Sequence, residues 1–339
     1  TTSATPAGTY TVTVTGTRES TSRTTTVTLV VNAPPPPPLM PSFSWVRLIG
    51  GAGFEIDDAR GTAVDSSGNA YVSGSASGSV DGQLNAGAKD ALLAKYDFSG
   101  NKLWVRTAGS AYNDRFNGIV VNSAGEVFAA GYAGSDIDGY TNQGNGDALL
   151  VKYDSNGNKL WSKLTGTSTY DYYADIAISG AGNIYTVGVM GNAGNIYTAG
   201  TMGITITKFD SSGNQIWNKS VFNGVATPDP LGIAADGSDN AYVVGTITAI
   251  TGSVDGQTYN GGASDGFIVK YDNNGNKLWT RLLGSSSDDY LQGVAVDTSG
   301  NVYVGGRSGL IAKYDSLGNK LWSEYISSML NLRDVALDS

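Results

Sequence analysis

The residues of this 339-residue chain that could do chemistry are carboxylates: 26 Asp against 4 Glu, with no His and no Cys. One set recurs as Asp57, Asp114, Asp171, Asp229 and Asp289, at intervals of 57, 57, 58 and 60 residues. Carboxylates repeated at near-constant spacing can form a ring, and such a ring suits a divalent cation or a cationic group. The plainer role is that each Asp fastens its own loop to backbone amides. A second acidic set falls in longer loops, where Asp136-Ile137-Asp138-Gly139 has the oxygen-rich character that calcium favours. The most distinctive aromatic cluster is Tyr170, Tyr172 and Tyr173 around Asp171. Aromatic rings beside a carboxylate suit a sugar-binding platform, or a packed loop.

What is missing narrows the chemistry further. Without Cys there are no disulfides, thiolate zinc sites or thiol nucleophiles. Without His there is no Ser–His triad and no histidine metal ligand. A net charge of −9 argues against a nucleic-acid or anionic-lipid surface, and no apolar run is long enough to insert in a membrane. A glycosidase pair of carboxylates should break any repeat, whereas Asp57-Asp58 and Asp288-Asp289 echo it. A polysaccharide hydrolase or lyase therefore ranks low.

The elements that must position these residues are repeated. Lys95-Tyr96-Asp97-x-x-Gly100-Asn101-Lys102-Leu103-Trp104 returns at 152–161, 208–217, 270–279 and 313–322. A second phrase, Ala63-Val64-Asp65-Ser66-Ser67-Gly68-Asn69-Ala70-Tyr71-Val72-x-Gly74, precedes it each time. Asp-x-x-Gly-Asn makes tight hairpins, since Asp bonds amides across the turn and Gly accepts positive φ. Each module then reads as four short strands, and the repeat predicts an all-β β-propeller of four-stranded blades. In that fold strand one lines the central channel, and the variable loops collect on the face opposite the tight turns.

These phrases resemble the bacterial beta-propeller repeat family SBBP. The resemblance implies an exported, surface-associated interaction protein and supplies no catalytic residues. Two further likenesses fall short. Asp154-x-x-Gly157-x-x-x-Trp161 misses the sialidase box by one residue on each side. The repeated Trp is similar to quinoprotein propellers, but the vicinal cysteines of those proteins are absent. An EF-hand loop fails as well, because Tyr140 and Thr141 stand where a ligand and Gly are needed. The six Trp are read instead as buried plugs between blades.

Residues 34–38 are five prolines, a stiff spacer. Ahead of them, 9–15 and 24–31 alternate Thr with apolar β-formers and resemble the last hairpin of an immunoglobulin-like domain. The expected organisation is that partial domain at 1–33, a linker at 34–42 and a propeller at 43–339 with six or seven blades, complete or truncated. In module three, 182–188 is duplicated at 194–200, and either copy can serve as strand two. The function expected on these grounds is a secreted or cell-surface structural protein without catalytic activity, engaging another extracellular protein or a glycan. Self-assembly through the hairpin or open strand edges is a further expectation. The alternative is a glycan- or calcium-binding propeller, and calcium is the only cofactor suggested.

Overall fold

The computed structural model describes residues 8–18, 21–31, 45–50, 57–191, 202–222, 228–248, 253–307, 309–326 and 332–337. The chain divides into two units, Thr1–Val46 and Arg47–Ser339. The first holds an antiparallel hairpin of Gly8–Arg18 and Thr21–Val31, paired from Gly8↔Val31 to Arg18↔Thr21. Its strands follow the Thr/apolar alternation. The proline run lies outside the described residues.

The second unit contains five antiparallel four-stranded sheets, spanning 58–108, 115–165, 172–220, 228–283 and 291–325, with no helix among the described residues. This is the all-β propeller that the repeat predicts. The tight turns form for the expected reason. Asp97 Oδ1 accepts the Ser99 and Asn101 amides at 2.9 and 2.8 Å, its Oδ2 accepts Asn101 Nδ2 at 2.9 Å, and Gly100 sits at φ 78°. The same bonds recur around Asp154, Asp210, Asp272 and Asp315.

Adjacent inner strands approach very closely. A Cβ on Gly61 would stand 3.1 Å from the Cα of Gly118, so glycine here is a packing requirement. The segment from Leu332 continues the series, since a Cβ on Gly293 would meet Asp334 Cα at 2.6 Å. At the other end, Arg47 Nε donates to Gly100 O at 2.7 Å, as Arg106 does to Gly157 and Arg281 to Gly318 at 2.6 Å. Arg47 therefore occupies the outer-strand place before blade one, and Asp334 the inner-strand place after blade five. Among the described residues five blades are complete, flanked by an outer-strand segment before the first and an inner-strand segment after the last.

The tryptophans correct one expectation. The large side chains sealed in the seams include Tyr71, Tyr153, Tyr185, Tyr242, Tyr271 and Tyr314, while Trp322 is 41% exposed and the other described repeat tryptophans are half-buried. Trp104, Trp217 and Trp279 use their indole N–H to bond the next blade's turn, at Ser155, Asn273 and Ser316 carbonyls. Lys95, Lys208 and Lys270 donate to those same carbonyls. An indole needs an acceptor when it is buried, and the nearest one lies at the rim, so Trp staples the seam from its edge.

Two details of blade three depart from the repeat. Its second strand is the first copy, Ile184–Gly191, paired with Tyr172–Ile178 and Met202–Phe209; the copy at 194–200 lies outside the described residues. Its turn has Ser179 where the other blades have Asp65, Asn122, Asp236 and Asp297. Asp239 of blade four, at φ 66° in a glycine position, supplies the missing carboxylate. It accepts Ser179 Oγ at 2.5 Å, Asn183 Nδ2 at 2.9 Å and Lys208 Nζ at 2.6 Å.

Candidate functional site

Four of the five ring aspartates fasten loops. Asp114 accepts the Ser110 amide at 2.6 Å, Ser110 Oγ at 2.8 Å and the Gly134 amide at 2.9 Å. Asp171 accepts the Thr167 amide and hydroxyl and the Gly191 amide, and Asp57 accepts the Ser77 amide and hydroxyl. Asp289 accepts the Ser285 amide and hydroxyl and Tyr325 Oη. Each ties the entry loop of an inner strand to the framework. Burial pushes the Asp114 carboxyl up to about 6, against the lowering effect of those bonds.

Asp229 does not belong to this set. It pairs with Thr246 as Asp58 pairs with Ser75, Arg115 with Tyr132 and Tyr172 with Val189, so it stands one residue beyond the fastening position, which Pro228 occupies. The interval of 58 residues, one longer than the two before it, was the signal. Asp136 and Asp138 do not converge either. Asp136 accepts the Asn142 amide at 2.8 Å, while Asp138, at φ 54° in an Asp-Gly turn, pairs with Lys159 at 2.5 Å. Among the described residues no three acidic side chains come together to hold a metal.

The tyrosines separate. Tyr173 is 2% exposed and packs edge-on against Phe209 at 6.4 Å, so it belongs to the core. Strand alternation turns it inward and leaves Tyr172 on the other side. Tyr170 and Tyr172 are half-buried with ring centroids 5.5 Å apart, and Tyr132 meets Tyr170 at 5.3 Å. Arg115 lies over the Tyr132 ring at 5.2 Å and donates through Nε to Asn117 Oδ1 at 2.7 Å. Its Nη1 is 4.0 Å from Asp58, which also pairs with Arg60 at 2.5 Å. A continuous polar and aromatic chain thus runs across the channel mouth from blade one to blade three. Burial pushes the Tyr170 phenol well above its usual range, so it stays a neutral hydroxyl.

Sequence reasoning missed Arg115, Tyr132 and Asp175. The signal for all three is departure from the repeat. At the position after the fastening Asp the blades carry Asp58, Arg115, Tyr172, Asp229 and Tyr290. Three residues further along the inner strand, blade three alone has a carboxylate, Asp175, where the others have Gly61, Gly118, Gly232 and Gly293. Asp175 is enclosed by protein yet keeps part of its surface accessible, as a residue on a narrow channel would. It accepts the Ile176 amide at 2.8 Å and the Ile233 amide of blade four at 3.0 Å. Burial pushes its carboxyl up to about 7, with Asp334 adding repulsion against those two bonds.

A groove of about 760 Å³ lies elsewhere, at the rim between blades one and two, lined by Asp81, Lys102, Trp104 and Arg106. Its polar groups are committed to the seam: Lys102 pairs with Asp81, and Arg106 donates to Gly157 and Asn156 carbonyls. The channel mouth is the better candidate because its chemistry is not spent on the repeat.

Comparison with known proteins agrees on the class. Residues 44–80 and 278–309 match the beta-propeller repeat family SBBP, so the chain carries SBBP repeats. It is 30% identical over 188 residues to the regulatory protein FlaEY of Caulobacter vibrioides, covering 51% of this chain and 19% of that one. It is 27% identical over 198 residues to the uncharacterized WD repeat-containing protein L264 of Acanthamoeba polyphaga mimivirus, covering 47% and 14%. The chain thus spans a fifth or less of the length of these curated relatives. Among solved structures, a gluconolactonase from Xanthomonas campestris aligns with TM-score 0.44 at 13% identity, covering 81% of this chain and 78% of that one. A luciferin-regenerating enzyme aligns with TM-score 0.43 at 14% identity, covering 82% and 79%. Both carry enzyme names, and neither supports the expectation of a chain without catalytic activity.

Proposed function

We propose that this propeller acts on a small, ring-bearing anionic compound at its channel mouth, with Asp175 as the proton-transfer group. The observation that carries the reading is Asp175 itself, a channel carboxyl where the four other blades have glycine. Arg60 and Arg115 converge on Asp58 there, in a chain whose net charge is −9. Two guanidinium groups brought to one place offer an anion charged donors, and the tyrosine rings offer an apolar face to a ring. At about 3.3 Å per residue, Asp175 lies roughly 10 Å deeper than Tyr172 along the same strand. A carboxyl titrating near 7 is partly protonated at neutral pH, so it can give or accept a proton.

The test is a panel of sugar carboxylates and their neutral analogues, read by melting shift and by turnover. The expected result is a shift for carboxylates alone, lost in Arg115→Ala, and turnover lost at least 100-fold in Asp175→Asn with the shift retained. No shift and no turnover with any carboxylate would sink the reading. An immunoglobulin-like hairpin at 1–33 and placement outside the cytoplasm belong to the same proposal. Their support is the Thr-rich alternation and the proline spacer, and fractionation of cells expressing the full-length gene tests them.

A further inference from the structure

A spacing in the sequence acquires meaning only at the seams. Asp90-x18-Gly109-Ser110-x3-Asp114 recurs as Asp147, Gly166, Thr167, Asp171 and as Asp265, Gly284, Ser285, Asp289. In each case the first Asp comes from one blade and the second from the next. The second Asp donates its amide across the seam, to the carbonyls of Lys89, Gly146 and Ser264. All six carboxylates are at most 1% exposed. The glycine makes room for the first of them: a Cβ on Gly166 would stand 2.1 Å from Asp147 Oδ1. On Gly284 it would stand 2.3 Å from Asp265 Oδ1 and 3.3 Å from Asp289 Oδ2, so both oxygens face one point.

The seams differ in one respect. Asp90 directs both oxygens at the Ala86 amide, at 3.2 and 3.0 Å. Asp147 and Asp265 each accept an amide through Oδ2 alone, from Gln143 and Asn260. Their Oδ1 atoms are buried without a partner, as are Ser264 Oγ and Tyr259 Oη at the last seam. A buried carboxylate oxygen left without a partner is strongly unfavourable unless a cation or a proton satisfies it.

We infer that the Asp147–Asp171 and Asp265–Asp289 seams each bind one calcium ion, and that the Asp90–Asp114 seam binds none. The donors are oxygen only, with no nitrogen or sulfur ligand, which selects a hard cation. Thr167 and Thr169 hydroxyls at the first of these seams, and Ser285 and Tyr325 at the second, add neutral oxygens beside the carboxylates. Magnesium holds to octahedral geometry and keeps several waters, and these seams are buried; calcium accepts irregular oxygen sets. Each ion would bridge two blades.

Calorimetry on the whole chain, stripped with chelator at pH 7 and titrated with calcium chloride, tests the inference. Two ions per chain are expected, falling to one in Asp147→Asn and one in Asp265→Asn, and staying at two in Asp90→Asn. Terbium provides a second measurement, because tyrosines flank both seams and can sensitise it, Tyr170 and Tyr173 beside Asp171 and Tyr325 beside Asp289. Its emission should fall in part in Asp147→Asn and in part in Asp265→Asn and hold in Asp90→Asn, the remaining emission reporting that each variant is folded. Absence of calcium heat, or equal loss in all three variants, overturns the inference.

Discussion

Single residues in this propeller matter most where they break the repeat. Asp239 adopts a backbone conformation that glycine would take more easily, so that its carboxylate can serve blade three. Removing it leaves Lys208, whose side chain is 5% exposed, without its ion pair. Asp239→Gly is therefore expected to destabilise by about 2–4 kcal/mol in a urea melt, the relief of backbone strain offsetting only part of the lost pair. Restoring the repeat pattern with Ser179→Asp in the same chain should recover more than half of that loss. A double variant no better than the single one would show that the carboxylate's position is not what matters. Asp175 is the second such residue. If it moves a proton, the pH profile of turnover should bend near 7, and Asp175→Asn should remove the bend along with the activity.

At the level of elements, the blades are joined by one recurring device. A Lys on strand three and a Trp on strand four bond the same carbonyl in the next blade's tight turn. In Trp104→Phe the ring is kept and one bond to Ser155 is lost, so a cost of about 1 kcal/mol is expected. Trp104→Ala loses the ring as well, which packs edge-on against Tyr71 at 6.1 Å, and should cost about 3 kcal/mol. Guanidinium melts of both variants decide whether the ring or the bond dominates the seam. The outer-strand bulge after Lys102 belongs to the same device, since it lets Trp104 face Lys95 across the sheet.

Across the whole molecule, buried carboxyls set how stability depends on pH. Asp114 and Asp175 titrate near 6 and 7 in the folded chain, above the ordinary value of 3.8. The folded state then binds more protons than the unfolded one between about pH 4 and 7, so stability falls as pH rises through that window. Asp114 alone should account for up to about 3 kcal/mol of the decline. Melting temperature measured from pH 4 to 8 should therefore drop toward neutrality and level off above 7. A curve rising over that range would contradict the burial of these groups.

The sequence alone determined the blade. Its four strands, its turns and the period of the repeat follow from local chemistry: Asp bonding nearby amides, Gly accepting positive φ, and apolar residues alternating along strands. It also determined which chemistries are unavailable, because His and Cys are absent. Only the tertiary structure decided where blades meet, and therefore that the tryptophans are rim staples, that Asp229 sits one residue out of the ring set, and that Tyr173 is core while Tyr170 and Tyr172 stand at the mouth. Residues 24 apart in the chain, such as Asp265 and Asp289, become neighbours only when consecutive blades pack. Burial and long-range proximity are properties of that packing, and they make Asp175 a titrating channel group while its neighbours in the repeat are glycines.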